Sequence, residues 1–252
     1  MRAGGAGGVP LRPVRILQGG MDTAFPPPPP ILAPVVDGPA FPVGRVFCIG
    51  RNYADHAHEM GGDPTREAPF FFTKWAQAVV PSGGTIPYPP ETADYQHEVE
   101  LVVAIGTGGR DIAAADAPAH VFGHAVGLDM TRRDLQAAAK ADGRPWDAAK
   151  NVEHGAPLGP IHPVAQAGHP AAGRIALTVN DIVRQDGDLS DMTWGVADLI
   201  AYLSRFYRLE PGDLIWTGTP AGVAAVVPGD VLVASIAGLS DLTVTIGERA
   251  RG

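Results

Sequence analysis

From residue 45 onward the chain falls into short apolar runs cut by glycine, proline, asparagine and aspartate, the pattern of many short strands joined by tight turns. Residues 45–49, 70–73, 97–105 and 122–128 read as strands in the first half. A short helical stretch over 52–60 separates the first two, with Gly61 and Gly62 suited to its C-terminal end. Between residues 79 and 90, Pro81, Gly83, Gly84, Pro87, Pro89 and Pro90 predict a loop without regular structure. A helix is predicted over 131–140, where Thr131 and Asp134 have the spacing of a capping box. The second half predicts a hairpin around Asn180 and Asp181, then a helix from Val196 to Phe206 with apolar positions Val196, Leu199, Ile200 and Leu203. Two later strands, 214–217 and 231–236, are entered the same way, through Pro211-Gly212-Asp213 and Pro228-Gly229-Asp230.

Composition favours a turn-rich strand protein. Of 252 residues, 32 are glycine and 25 proline while only 18% are charged, which suits turn-rich strands and not a helical bundle. Part of that surplus lies in residues 1–44, which include five successive prolines from Pro26 to Pro30. That segment reads as an extended arm without a core of its own, ahead of one domain over 45–252. With 19 Lys and Arg against 27 Asp and Glu the formal charge is -8, and no basic run interrupts it, which argues against nucleic acid as a partner. The single cysteine, Cys48, sits in an apolar run and reads as a buried, inert thiol. No signal peptide is evident, and no run of about 18 apolar residues argues for a membrane span. The expectation is a cytoplasmic protein with no membrane partner.

The strand His97-Glu98-Val99-Glu100-Leu101-Val102-Val103-Ala104-Ile105 alternates with period 2, so Glu98 and Glu100 share a face with Val102 and Ala104. Two carboxylates on a largely apolar face repel each other unless a positive centre lies between them, and a divalent cation is the economical one. The competing reading is an ordinary solvated edge face. Asp129, at the end of the next strand, adds a third carboxylate. The set is all oxygen, suited to Mg²⁺ or Mn²⁺ and not to structural zinc. His56 and Glu59, three apart on a helical stretch, can form a dyad in which the carboxylate raises the basicity of the imidazole, or an ordinary surface pair. Arg133 and Gln136 are spaced to face together, and Lys150 follows Trp146. A cation beside a metal site can bind a carboxylate or a developing enolate, and a solvated side chain is the plainer alternative. The turn Thr217-Gly218-Thr219-Pro220 is small enough for backbone amides to approach an anion.

Gly50-Arg51-Asn52-Tyr53-Ala54-Asp55-His56, His97-Glu98-Val99-Glu100-Leu101, Leu128-Asp129-Met130-Thr131, Trp146 to Lys150 and Thr217-Gly218-Thr219-Pro220, in this order, resemble the fumarylacetoacetate hydrolase family over residues 45–247. The resemblance implies an α+β fold that is mostly β, a mixed β-roll, together with a homodimer and a catalytic domain over 45–252. Pro69 to Lys74 and Val79 to Pro89 look most like the branch that hydrolyses fumarylpyruvate in gentisate breakdown. Carried over by position, the resemblance implies Glu98, Glu100 and Asp129 as metal ligands and His56 with Glu59 as the water-activating pair. It implies Lys150 beside the reacting carbonyl, and Lys74, Arg133, Gln136 and Thr219 in contact with a dioxo-acid substrate. Trp75 and Gln96 depart from the family pattern, which more often has proline and histidine there. The expected reaction is metal-dependent hydrolysis of a carbon–carbon bond in a 2,4-dioxo acid. The alternatives are oxaloacetate decarboxylation or dienoate isomerisation in the same pocket, or a binding protein without catalysis.

Overall fold

The computed structural model describes residues 24–53 and 68–249. Two mixed sheets face each other. The larger has the path Phe70–Lys74, Val46–Gly50, Leu214–Trp216, Val99–Ile105, Val121–Leu128, Ala156–Leu158, Val79–Pro81, with His162–Pro163 as an additional partner of Val121–Leu128. The smaller runs Ile182–Asp188, Arg174–Val179, Val231–Ile236, Leu242–Arg249, Thr85–Tyr88. This is the mixed, mostly β roll expected from the strand-and-turn pattern.

The central strand Val99–Ile105 shows why the carboxylates are where they are. All seven residues are buried, because Leu214–Trp216 flanks the strand on one side and Val121–Leu128 on the other. Val99 and Leu101 pack with Ile175, Leu177 and Leu232 of the smaller sheet, while Val103 and Ile105 pack under Leu199, Ile200 and Leu203 of the Val196–Phe206 helix. Val102 and Ala104, on the opposite face, join Cys48, Ala125 and Trp216. Each such buried aliphatic side chain contributes about 1.5–3 kcal/mol of transfer free energy, which fixes the register that aims Glu98 and Glu100. A solvated edge face is thereby ruled out for them.

Several expectations are met. The Val196–Phe206 helix has the bounds its apolar spacing predicts. The hairpin turns at Asn180 and Asp181, both with positive φ, 50° and 64°. The two Pro-Gly-Asp entries are one device used twice, with Gly212 at φ 103° and Gly229 at φ 94°. In each, the aspartate carboxylate accepts the N–H of the residue before the proline, Glu210 or Val227, at 2.8 Å. Cys48 is fully buried.

Three expectations are corrected. The stretch predicted as a loop holds two strands, Val79–Pro81 and Thr85–Tyr88; each lies at the end of its sheet, where a residue without an N–H is tolerated. The predicted capping box does not form. Thr131–Arg132 is a short strand, Thr131 Oγ1 donates to Asp129 O, the helix runs Arg133–Ala141, and Asp134 accepts from Thr92 Oγ1 at 2.6 Å. The arm is also shorter than expected. Residues 24–30 are exposed, but Leu32–Ala33 pairs with Phe41–Pro42, and Ala33 and Phe41 enter the core beside Trp216.

No helix among the described residues is long and apolar enough to cross a membrane.

Candidate metal centre and active site

Glu98, Glu100 and Asp129 converge. They are 5%, 1% and 0% exposed, and each offers a carboxylate oxygen within 4.8 Å of the others. Strand pairing does this, since Val99 lies opposite Leu128 and Asp129 N–H donates to Glu98 O at 2.9 Å. Burial, then the charges of Asp129 and Glu98, push the Glu100 carboxyl well above its ordinary range, against the opposing Gly218 N–H and Lys150.

The surrounding cations are specific. Lys150, at the end of the short Asp147–Lys150 helix, donates from Nζ to Glu98 Oε2 at 2.6 Å and Asp129 Oδ2 at 2.8 Å. Burial works against its charge, but Asp129 and Glu98 outweigh that and hold its pKa above the usual lysine value. Arg133 pairs through Nη2 with Glu98 Oε1, through Nη1 with Gln136 Oε1 at 2.6 Å, and through Nε with Gln96 Oε1 at 2.8 Å. Gln96, a departure from the family pattern, thus orients the arginine.

Lys74 is the residue whose expected role changes. Its side chain is fully buried, its Nζ donates to the carbonyls of Met130, Lys150 and Gly155, and it lies 2.9 Å from Asp129 Oδ1. With its three N–H groups spent on carbonyls, it holds Asp129 by charge from behind and does not line the cavity, so substrate contact is not its place. Asp129 Oδ1 is therefore ion-paired with Lys74 but has no hydrogen-bond donor among the described residues.

The all-carboxylate donor set and the unfavourable crowding at Glu100 are what a hard divalent cation satisfies, so the residues present fit such a metal. The cavity in front of them has a volume of about 30 Å³, room for an ion and water, and its wall includes Arg133, Gln136, Lys150 and Thr219, with Arg51, Phe72, Lys140 and Trp146. His56 and Glu59 lie outside the described residues.

The turn after Leu214–Trp216 does bring a backbone amide to an anion, and that anion is Glu100. Gly218 N–H donates to Glu100 Oε2 at 2.7 Å. Gly218 has φ 98°, and a Cβ there would stand 2.7 Å from Asn52 Cβ, so glycine is required for this approach.

One residue escapes sequence reasoning. Gln185 is fully buried on the Ile182–Asp188 strand. Its Oε1 accepts from Val99 N–H at 3.1 Å and His97 Nδ1 at 2.9 Å, and its Nε2 donates to Thr219 Oγ1 at 2.7 Å and Pro220 O at 2.9 Å. It ties the strand carrying the glutamates to the Thr219 turn with all four bonds a carboxamide can make.

The family model described as fumarylacetoacetate (FAA) hydrolase C-terminal matches residues 45–247. A fumarylpyruvate hydrolase from Ralstonia sp is 45% identical over 185 residues, covering 73% of this chain and 96% of the relative. The crystal structure of a fumarylpyruvate hydrolase from Pseudomonas aeruginosa in complex with Mn²⁺ and pyruvate is 48% identical, with TM-score 0.89, covering 90% of this chain and 100% of that one. A mitochondrial oxaloacetate tautomerase from Arabidopsis thaliana is 40% identical over 207 residues, covering 82% of this chain and 92% of the relative. The fold and site define an acid-lined, oxygen-donor centre in a mixed β-roll. The chain belongs to the fumarylacetoacetate hydrolase family.

Proposed function

We propose that this protein hydrolyses the carbon–carbon bond of a 2,4-dioxo acid, with fumarylpyruvate as substrate and fumarate and pyruvate as products, in gentisate breakdown. The observation that carries this is the convergence of Glu98, Glu100 and Asp129 with Lys150 and Arg133 at one cavity, in a chain nearly half identical to fumarylpyruvate hydrolases over most of its length. Glu98, Glu100 and Asp129 would hold Mg²⁺ or Mn²⁺, which when bound supplies Lewis-acid polarisation of the substrate's 2-oxo acid end.

The residues of the chain divide the remaining work. Arg133 and Gln136 bind and orient the substrate from the helix face, and Thr219 closes the opposite wall under the control of Gln185. His56, oriented by Glu59, takes the proton from a water whose oxygen adds to the C4 carbonyl. The tetrahedral oxyanion collapses, the C3–C4 bond breaks, its electron pair passes to C3, and protonation there gives the methyl group of pyruvate. The new carboxylate of fumarate carries the water oxygen. Lys150 stays an ammonium because Glu98 and Asp129 favour its charge, and it stabilises negative charge as it develops on the carbonyl and enolate oxygens. The family resemblance also supports a homodimer, acting in the cytoplasm.

The 40% identity to an oxaloacetate tautomerase favours a second reading, enolisation or decarboxylation of oxaloacetate in the same cavity, which needs Lys150 and the metal ligands but no attacking water. Loss of enol absorbance with fumarylpyruvate, acetylpyruvate and oxaloacetate, compared side by side for wild type and His56→Ala, separates the two. Hydrolysis of fumarylpyruvate that vanishes in His56→Ala supports the first; turnover of oxaloacetate alone, unaffected by His56→Ala, overturns it.

A further inference from the structure

The face of the large sheet turned away from the carboxylates carries a second cavity, of about 280 Å³. His124 lies opposite Val103 in the strand pairing, whereas Gly127 lies opposite Glu100, so the imidazole leaves the sheet on the side away from Glu100. His124 is 1% exposed, and neither Nδ1 nor Nε2 has a hydrogen-bond partner among the described residues. Buried polar groups are nearly always paired, so this one, set in a cavity wall, asks for a partner from outside the chain. Burial, then the nearby His169, lowers its pKa to about 4, which keeps the ring neutral at pH 7 with one N–H to donate and one lone pair to accept. His169 meets it edge-on, ring centroids 5.8 Å apart. The other walls are mostly apolar, including Val121, Leu189, Met192 and Ile200, and among the described residues none of Asp, Glu, Lys or Arg lines the space. A charged ligand has no counter-ion here, and a peptide would bury backbone groups without partners. A cavity of roughly 150 Å³ accommodates benzene, so this one takes a ring with one or two substituents.

We propose that this cavity binds a small neutral hydroxylated ring compound, a phenol in the simplest case, with its hydroxyl on His124. A neutral hydroxyl can accept from the imidazole N–H or donate to its lone pair, and an aromatic ring suits the apolar walls. The test is calorimetric titration of the Mn²⁺-loaded protein with 4-methylphenol, and with 1,4-dimethylbenzene, which lacks the hydroxyl. Saturable one-to-one binding is expected, about tenfold tighter for the phenol, unaffected by pyruvate, weakened about tenfold in His124→Leu and blocked in Ala197→Phe, which fills the space from the helix side. The absence of saturable binding up to about 10 mM, competition by pyruvate, or binding unchanged in both variants would overturn it.

A separate observation concerns the distal end of the substrate, and it rests on the reading given under Proposed function. Arg133, Gln136 and Lys140 occupy one face of the Arg133–Ala141 helix, at i, i+3 and i+7, and all three line the carboxylate cavity. Arg133 and Gln136 are engaged with each other and Arg133 with Glu98. Lys140 has no carboxylate within ion-pairing distance among the described residues, although it is partly buried with Arg51 and Arg133 as its charged neighbours. Its Cα lies about 10 Å along the helix from that of Arg133, a span comparable with an extended seven-carbon diacid. We infer that Lys140 receives the distal carboxylate of fumarylpyruvate. The test is kcat/KM for fumarylpyruvate relative to acetylpyruvate, which lacks that group. Lys140→Met is expected to lower the ratio about thirtyfold, chiefly through KM for fumarylpyruvate, and Lys140→Arg to keep it within about threefold. An unchanged ratio in Lys140→Met overturns the assignment alone, whereas a wild-type protein that does not hydrolyse fumarylpyruvate overturns the reading beneath it as well.

Discussion

Gln185 touches neither the cavity nor a carboxylate, yet it sets the position of both the strand that carries Glu98 and the turn that carries Thr219. Replacing it by leucine leaves Val99 N–H, His97 and Thr219 without a buried partner. We predict that Gln185→Leu lowers kcat about ten- to a hundredfold, as loss of a supporting hydrogen-bond partner usually does. Gln185→Glu, which can still accept from Val99, keeps more of it. Steady-state kinetics with a check of the folded state by near-ultraviolet circular dichroism decides; equal activity in Gln185→Leu refutes the role. Nothing in the sequence marks this residue, because the strand between Ile182 and Asp188 is otherwise largely exposed and polar. A bulge, at which the pairing jumps from Leu177 with Gln185 to Thr178 with Val183, turns Gln185 inward. Glu98, Glu100 and Asp129, by contrast, were legible because a period of two and a strand end are enough to bring them together. Lys74 was not: position alone cannot say that a long side chain runs behind Asp129 to three carbonyls. His124 allows a prediction by pH. Its folded pKa of about 4 lies below the ordinary 6.5, so its neutral form contributes stability that is present above pH 6.5 and is lost as the pH falls toward 4, about 3 kcal/mol in all. Thermal unfolding of His124→Leu should therefore lose less stability between pH 7 and 4.5 than wild type; parallel losses would contradict this.

Elements are readable where the local pattern alone decides them, as in the Val196–Phe206 helix and the Asn180-Asp181 hairpin. They were misread where the outcome depends on a neighbour. Pro81 and Pro87 look like loop residues until Val79–Pro81 and Thr85–Tyr88 prove to be outer strands, a fact of sheet order that sequence does not carry. Two glycines make the same distinction testable. Gly229 and Gly218 both have positive φ, 94° and 98°, but a Cβ at Gly229 meets nothing within 4 Å, whereas one at Gly218 would collide with Asn52. Gly229→Ala should cost about 1 kcal/mol of stability and leave turnover near wild type. Gly218→Ala should cost more than about 2 kcal/mol and weaken metal binding, because the N–H that holds Glu100 Oε2 must move. Denaturant unfolding and a metal titration of both variants read this; equal effects of the two would contradict it.

At the scale of the molecule, a chain of net charge -8 is proposed to bind a dianion, so attraction has to be local. The cavity supplies it through Lys150, Arg133 and Lys140, and through the cation that the three carboxylates are suited to hold. Both faces of Val99–Ile105 are buried, one under the smaller sheet and the Val196–Phe206 helix and the other beside Ala33, Phe41 and Trp216, so that the glutamates are fixed before any ligand arrives. The composition pointed to a strand-rich fold and argued against nucleic acid, but it could not place a positive centre inside an acidic protein. The most direct measurement is fumarylpyruvate turnover by purified protein, followed at the enol absorbance, before and after exhaustive chelation and again after adding back Mn²⁺ or Mg²⁺, with Glu98→Ala in parallel. The account predicts activity that falls at least about a hundredfold on chelation, returns with the metal, and does not return in Glu98→Ala. Turnover that survives chelation, or a fully active Glu98→Ala, would contradict it.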